Sequence, residues 1–418
     1  MPSPVTMGYR RDIDGLRAWA VMAVVLYHAF PTALRGGFVG VDVFFVISGY
    51  LITQVLNQAL DRGDFSLLDF YARRIRRIFP ALLLMLLAFL VFGWFGLHDD
   101  EYAQLGKHVL GGVGFVANLV LWNESGYFDN SANTKPLLHL WSLGIEEQFY
   151  LVWPWLLAWT WRRGKSLLGM TLGLVTLSLA FNLYVASQDQ VTDFYSPLTR
   201  FWELSVGSGL ALLAVRGGLN SERQSPLVRT VLSAAGWGLL MAAVVLIHEG
   251  RSFPGAWALL PVLGAAALIA AGPATLLNRW LLTNRLAIGL GLVSYPLYLW
   301  HWPLLALGVV VEGQTPNRRF RLTAVLVSFV LAWLTYRYVE RPIRRRPARR
   351  VMRLKSSRAA SPAGGVADVS GAPHSDRSTR PARTKPGPPS TETADSAFAL
   401  RPPRPTPTRA NAKDTGDN

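Results

Sequence analysis

The sequence predicts an all-α, polytopic integral membrane protein with about ten transmembrane helices plus one re-entrant or interfacial helix. Three observations predict it. Of the 418 residues, 51% are hydrophobic and 16% charged, whereas a soluble domain carries about 25% charged residues. The apolar residues are gathered into blocks long enough to cross roughly 30 Å of hydrocarbon as helix. The polar segments between those blocks alternate between basic and mostly acidic or neutral, which is the charge pattern of a chain threaded through a bilayer. A soluble enzyme is excluded.

The first block, about 16–33, follows Arg10, Arg11, Asp12, Asp14 and Arg17 and continues past Phe30 without a small-residue cleavage pattern, so it reads as a retained helix. The second, 38–57, opens after the turn Gly36-Gly37-x-x-Gly40, and the third, 79–97, after four arginines in five positions. The stretch 105–122 contains Lys107, His108 and several glycine and alanine positions. If it crossed fully, the acidic loop near 123–135 would move inside and the downstream alternation would invert, so it is the re-entrant or interfacial element. Further blocks fall at 138–161, 167–187, 198–215, 228–247, 256–272, 286–311 and 321–339, most of them bounded on one side by basic segments such as 162–165, 216–229, 279–285 and 341–355. Both termini are then expected on the cytoplasmic side, with Arg318, Arg319 and Arg321 as the exception to the pattern.

The formal net charge of +16 divides unevenly: residues 341–418 carry a net +11, and residues 1–340 the remaining +5. After Glu340 the composition turns to Pro, Ser, Thr, Arg, Ala and Gly. The expected domains are a membrane domain over 1–342 and a disordered, basic, Pro/Ser/Thr-rich cytoplasmic tail over 343–418. The arginines just after the last span suit anionic membrane lipids better than nucleic acid. With no cysteine in the chain there are no thiolate ligands, and no metal site, phosphate-binding glycine loop or nucleophile elbow is legible.

Charged groups inside a span are costly and usually functional, and four regions carry them. In the first helix Arg17 and His28 are eleven positions apart and so differ by about 20° around the axis. Asp14 pairs with Arg17 at i,i+3, and the imidazole is the expected general base. At the head of the third helix, Arg74 with Arg77 and Arg73 with Arg76 each stack one turn apart; either pair of guanidinium forks suits phosphate, and both also suit a plain topology signal. In Trp141–Tyr150 the adjacent Glu146 and Glu147 point about 100° apart, so one buried acid is expected, Glu146, stacked on Tyr150 at i,i+4. In Ser294–Pro303, Pro296 and Pro303 would interrupt the helix and expose carbonyls to a cavity, which Tyr150, Tyr298 and His301 are expected to line. Arg200 and Glu203 read as a structural pair at a membrane edge.

These regions, in this order, resemble the membrane-bound acyltransferase family 3. The matching segments are DGLRAWAVMAVVLYH (14–28), GGFVGVDVFFVISGYLIT (36–53), FYARRIRRIFP (70–80), HLWSLGIEEQFYLVWP (139–154), RFWELSVGSGLA (200–211), SYPLYLWHWP (294–303) and YRYVERP (336–342). The resemblance implies a bacterial inner-membrane O-acyltransferase that moves an acyl group, acetyl from acetyl-CoA or another acyl-CoA, to a hydroxyl of a cell-surface glycan or a small acceptor. It places the family's essential Arg and His on Arg17 and His28, its Arg-x-x-Arg pair on Arg74 and Arg77 as donor-binding residues, and its motif glutamate on Glu146; no cofactor stays bound. The motifs are similar to the branch that carries an extracytoplasmic SGNH-type domain, and this sequence has no Gly-Asp-Ser block in its tail, so it either acts alone or passes acyl groups to a separate extracytoplasmic transferase as partner. The other class that intramembrane charge admits is a transporter or flippase of a glycan or lipid-linked precursor.

Overall fold

The computed structural model describes residues 9–125, 134–215, 224–248 and 250–345, and the tail from 346 onward lies outside them. Among the described residues all regular structure is helical. In order these are α1 (Arg11–Ala29), α2 (Gly40–Arg62), α3 (Leu67–Gly96), α4 (Asp99–Val113), α5 (Ala117–Glu124), α6 (Leu140–Arg162), α7 (Leu167–Val185), α8 (Gln190–Tyr195) and α9 (Pro197–Val215). There follow α10 (Pro226–Leu246), α11 (Leu259–Ala271), α12 (Leu276–Leu282), α13 (Arg285–Leu292), α14 (Ser294–Glu312) and α15 (Arg318–Leu334). A π-helical turn over Thr335–Glu340 leads from α15 into α16 (Arg341–Arg345).

Local chemistry sets many of the ends. Ser66, Ser166, Ser225 and Asn317 each accept a hydrogen bond from the backbone three residues on, at 3.1, 3.3 and 2.9 Å for the last three, capping α7, α10 and α15, while Ser66 caps α3. Gly63 ends α2 in the left-handed region at φ 71°, which costs glycine nothing. Arg321 donates to the Ala29 carbonyl at 2.9 Å and lies over the Phe30 ring. A cation on the C-terminus of α1 complements its dipole, which gives the one basic exception in the charge alternation a structural reason.

Among the described residues six helices are long and apolar enough to cross a membrane, and a seventh if the pair Gly255–Ala271 and Leu276–Leu282, bent by 106°, counts as one. The sequence blocks at 16–33 and 138–161 form α1 and α6, and the block 286–311, expected as one span, is divided at Val293 into α13 and α14; all of these fall outside this count. The reason is compositional: α1 carries Arg11, Asp12, Asp14 and Arg17, α6 the two glutamates, and α14 His301 with two prolines. These three helices each bring polar residues to the site described below, although α2 and α3, which also reach it, are apolar enough to be counted. The stretch 105–122 is not one helix but α4 and α5, broken at Gly114–Val116, where Phe115 takes φ 54°. Pro296 and Pro303 do not interrupt α14, which runs unbroken from Ser294; Pro296 sits in the first turn, where a missing N–H costs no helical bond.

Apolar side chains point outward as well as inward. Leu87 and Phe95 of α3, Leu177 of α7, Val245 of α10 and Leu326 of α15 are all exposed, a pattern that water penalises and lipid does not. Inside, α2 and α9 cross at backbone contact. A Cβ on Gly49 would lie 1.8 Å from the Leu204 carbonyl oxygen, and one on Gly207 1.9 Å from that of Val46. Small residues at a crossing let two helices approach this closely. The same pair is tied by Arg200, which contacts Asp42 at 3.0 Å and Glu203 at 3.0 Å, all three wholly inaccessible. The Arg200–Glu203 pair thus sits in the interior and not at a membrane edge.

Candidate active site

Five helices converge on a cavity of about 80 Å³, room for a few waters. Arg17 enters it from α1, Ser48 from α2, Arg74 and Arg77 from α3, Ser142, Glu146, Glu147 and Tyr150 from α6, and Tyr295 and Tyr298 from α14. Helical spacing explains the selection on α3. Arg74 and Arg77 are one turn apart and face the cavity, whereas Arg73 is exposed and Arg76 turns back to donate to the Ala72 carbonyl at 3.1 Å. Of the two stacked arginine pairs in the sequence, the fold selects the first.

The cavity is an electrostatically crowded place. Arg74 lies 4.3 Å from the centroid of the Tyr150 ring, whose electron-rich face attracts a cation. The Tyr150 hydroxyl donates to Glu146, and Ser48 Oγ donates to the same oxygen, Oε1, at 2.6 Å. Glu147 also faces the cavity, and its Oε1 is buried without a hydrogen-bond partner. Both acids therefore reach one cavity, against the expectation of a single buried acid. The 100° between them is absorbed because Glu147 looks toward Arg74 and a second cavity of about 360 Å³, which shares Arg74, Glu147 and Tyr150 with the first and is closed on the other side by Phe115 and Val116 at the α4–α5 break. Three arginines and two carboxylates thus line the space, and Asp14, behind Arg17, supplies a third carboxylate.

Asp14 does not line the cavity. Its carboxylate sits 3.6 Å from Arg17 and accepts a hydrogen bond from the Tyr9 hydroxyl, so it holds Arg17 from behind. His28 is likewise away from the cavity wall. Arg17 and His28 do share a side of α1, but His28 meets α14: its Nδ1 is 2.9 Å from His301 Nε2, and the two rings stack at 5.2 Å with 13° between planes.

Tyr298 joins the two halves. Its hydroxyl lines the cavity and donates to the His139 carbonyl at 2.8 Å, so Ser142 Oγ, at 2.6 Å, is the donor in their mutual bond. Its ring lies 5.5 Å from His301 and 5.4 Å from His139. His139 is buried with neither ring nitrogen hydrogen-bonded among the described residues, 5.9 Å from the His301 ring. Reasoning on the sequence overlooked His139, Ser142 and Ser48 as site residues. His139 and Ser142 stand in a segment singled out for its glutamates, and their i,i+3 spacing to each other was the available signal. Ser48 carries none, because its role depends on α2 packing against α6. Among the described residues no group of three or more His, Asp or Glu side chains is arranged to hold a metal.

The family model for the Acyltransferase domain matches residues 10–337. The chain is 34% identical over 356 residues to the peptidoglycan O-acetyltransferase OatA of Listeria monocytogenes, covering 81% of this chain and 56% of that one. It is 34% identical over 351 residues to the putative peptidoglycan O-acetyltransferase YrhL of Bacillus subtilis, covering 80% and 55%. With the O-acetyltransferase OatA of Staphylococcus aureus the figures are 31% over 354 residues, 81% and 58%. The chain thus spans a little over half the length of these curated relatives. No solved structure matches it.

Proposed function

Since the chain belongs to acyltransferase family 3 and is a multi-pass membrane protein, we propose that it is an O-acyltransferase that moves acetyl from acetyl-CoA to a hydroxyl of a cell-wall glycan. The observation that carries this reading is a cavity lined by Arg17, Arg74 and Arg77 together with Glu146 and Glu147, joined through Tyr298 to a pair of bonded imidazoles. The names of the relatives supply the acetyl group and the glycan.

In this reading the ten apolar blocks all cross a bacterial inner membrane, with α4 and α5 forming a re-entrant hairpin. The arginine cavity opens to the cytoplasm and the basic tail lies on that side. Arg74 and Arg77 hold the phosphates of the donor at the mouth, where guanidinium forks match phosphate oxygens. Arg17, steadied by Asp14, reaches the acyl end. A cavity of about 80 Å³ admits the acetyl thioester and leaves the nucleotide outside. The acceptor oxygen attacks the thioester carbonyl carbon and gives its proton to His28, and the CoA sulfur leaves with the electron pair of the broken C–S bond and takes that proton in turn. Tyr298, which touches both the cavity and the imidazoles, is the side chain the acyl group must pass.

The test is transfer of radiolabelled acetyl from acetyl-CoA to a purified glycan acceptor by the protein in lipid nanodiscs. Label should move with the intact chain and fall at least a hundredfold in His28→Ala at equal folded amount. Undiminished transfer by that variant would overturn the role of His28, and no transfer by the intact chain with any glycan would overturn the acceptor class.

A further inference from the structure

His301 is wholly buried on α14. Its Nδ1 lies 2.7 Å from the Tyr298 carbonyl oxygen and 3.1 Å from that of Leu297. Carbonyl oxygens only accept, so Nδ1 carries the hydrogen and donates; in a neutral imidazole the other nitrogen is then an acceptor. That other nitrogen, Nε2, is the one that faces His28 Nδ1 at 2.9 Å. Two lone pairs cannot share a hydrogen bond, so His28 Nδ1 is the donor. The hydrogen of a neutral His28 is thereby assigned, and its Nε2 is left with the lone pair.

We propose that His301 is a positioning residue for the transfer reaction: by accepting the Nδ1 hydrogen of His28, it holds that imidazole in the tautomer whose Nε2 can take a proton from the acceptor hydroxyl. This rests on His28 being the base. During transfer the hydroxyl proton moves to His28 Nε2 and on to the departing sulfur, while His301 keeps its own hydrogen throughout and offers its lone pair to the transient imidazolium. A neutral partner suits the interior better than a carboxylate, which would need a countercharge of its own in the resting protein. The backbone supplies the orientation: the carbonyls of Leu297 and Tyr298 lie four and three residues before His301 on one helix, so α14 itself fixes the ring. Stacking alone would be met by any flat ring, whereas the hydrogen bond needs an acceptor at this position.

Two variants separate these demands. His301→Phe keeps a flat ring and removes the acceptor, and His301→Gln restores a carbonyl oxygen. The expected result is a fall in kcat of up to about 10⁴-fold in the Phe variant, the loss seen when a catalytic histidine is left in the wrong tautomer, with acetyl-CoA binding little changed. The Gln variant should recover at least about tenfold. Independently of turnover, ¹⁵N spectra of histidine-labelled protein in lipid, with the His28 signals assigned by difference against His28→Ala, should show Nδ1 protonated and Nε2 bare. In His301→Phe this preference should be lost. An Nε2-protonated His28 in the intact protein, an unimpaired Phe variant, or a Gln variant no better than Phe would overturn the proposal. Because the spectra need no catalysis, a failed positioning role and a failed base role give different results: the first changes the tautomer, the second leaves His28→Ala active.

Discussion

Two regions of this molecule bring arginine and two carboxylates together inside a helical bundle, and they are built to opposite ends. At the α2–α9 crossing, Arg200 sits between Asp42 and Glu203 with no accessible surface on any of the three. The rings of Phe45, Trp141 and Phe253 lie within 5.5, 5.6 and 5.7 Å of its guanidinium. At the candidate site, Arg17, Arg74 and Arg77 face Glu146 and Glu147 across open space. The residue types are the same; what differs is whether aromatic packing closes the cluster or a cavity opens it. A closed cluster fixes two helices, and an open one leaves charged groups facing a space that a ligand can fill.

The largest effect should come from the closed cluster. Removing one member of a buried ion network leaves an uncompensated charge, at a cost of about 3–5 kcal/mol. Arg200→Met is expected to lower the thermal midpoint in detergent sharply or to yield little folded protein. The triple change Arg200→Met, Asp42→Asn, Glu203→Gln should recover much of the loss, since neutral residues need no partner. A single variant that melts like the intact chain would break the contrast, because Arg200 would then not be holding the fold.

Next in size is the open cluster, where binding and not folding should change. Arg74→Ala with Arg77→Ala is expected to weaken acetyl-CoA binding by about a hundredfold, as for the loss of two charge-assisted hydrogen bonds, with a nearly unchanged thermal midpoint. Arg73→Ala with Arg76→Ala, the pair that faces away, should change binding less than about threefold. Calorimetric titration of the two double variants decides between a donor site and a topology signal, since the topology signal would treat both pairs alike.

That test also marks how far the residues alone could be read. The all-helical fold and the pairing of Asp14 with Arg17 follow from hydropathy and helical spacing, whereas the break between α4 and α5 does not, since 105–122 reads as one helix. Spacing cannot say which of two stacked arginine pairs faces inward, because both obey the same 3.6-residue period and only the docking of α3 against α6 distinguishes them. It likewise misjudged Glu147. An angle of 100° between neighbours excludes a shared partner but not a shared cavity wide enough to receive both. The bond between His28 and His301 joins residues 273 positions apart, a separation at which local periodicity carries no information. The count of spans from hydropathy alone also meets a limit here, since α1, α6 and α14 lose apolar character by carrying the site.

A smaller effect should separate charge from hydrogen bonding within the open cluster. Glu146 Oε1 accepts from both Ser48 and Tyr150, and an amide oxygen can do the same. Glu146→Gln should therefore keep the thermal midpoint, whereas Glu146→Ala leaves two inward hydroxyls without their acceptor and should cost about 1–3 kcal/mol. Equal midpoints for Gln and Ala would mean that the hydroxyls find other partners and that this side of the cavity is looser than the distances imply.

The smallest effect belongs to a third cluster, which lies between the two extremes. Glu124, at the end of α5 and outside the membrane-crossing helices, contacts Lys107 at 2.7 Å, His108 at 2.8 Å and Lys135 at 3.3 Å. Burial by itself would raise this carboxyl, but the hydrogen bonds from Lys107 and His108 and the charge of Lys135 outweigh it and hold it down at about 2, against an ordinary 4.5. A carboxyl lowered on folding contributes its stability in full above the unfolded value and loses it as pH falls through the folded one. The difference in thermal midpoint between the intact chain and Glu124→Gln should therefore be constant from pH 7 to pH 5 and shrink between about pH 4.5 and pH 2. Partial exposure keeps that difference small, about 1 kcal/mol or less. A difference still undiminished at pH 3 would contradict this linkage, because the unfolded carboxyl is protonated by then, and one that vanishes by pH 5 would show that Lys107, His108 and Lys135 do not hold this carboxylate down and that the cluster is held by packing.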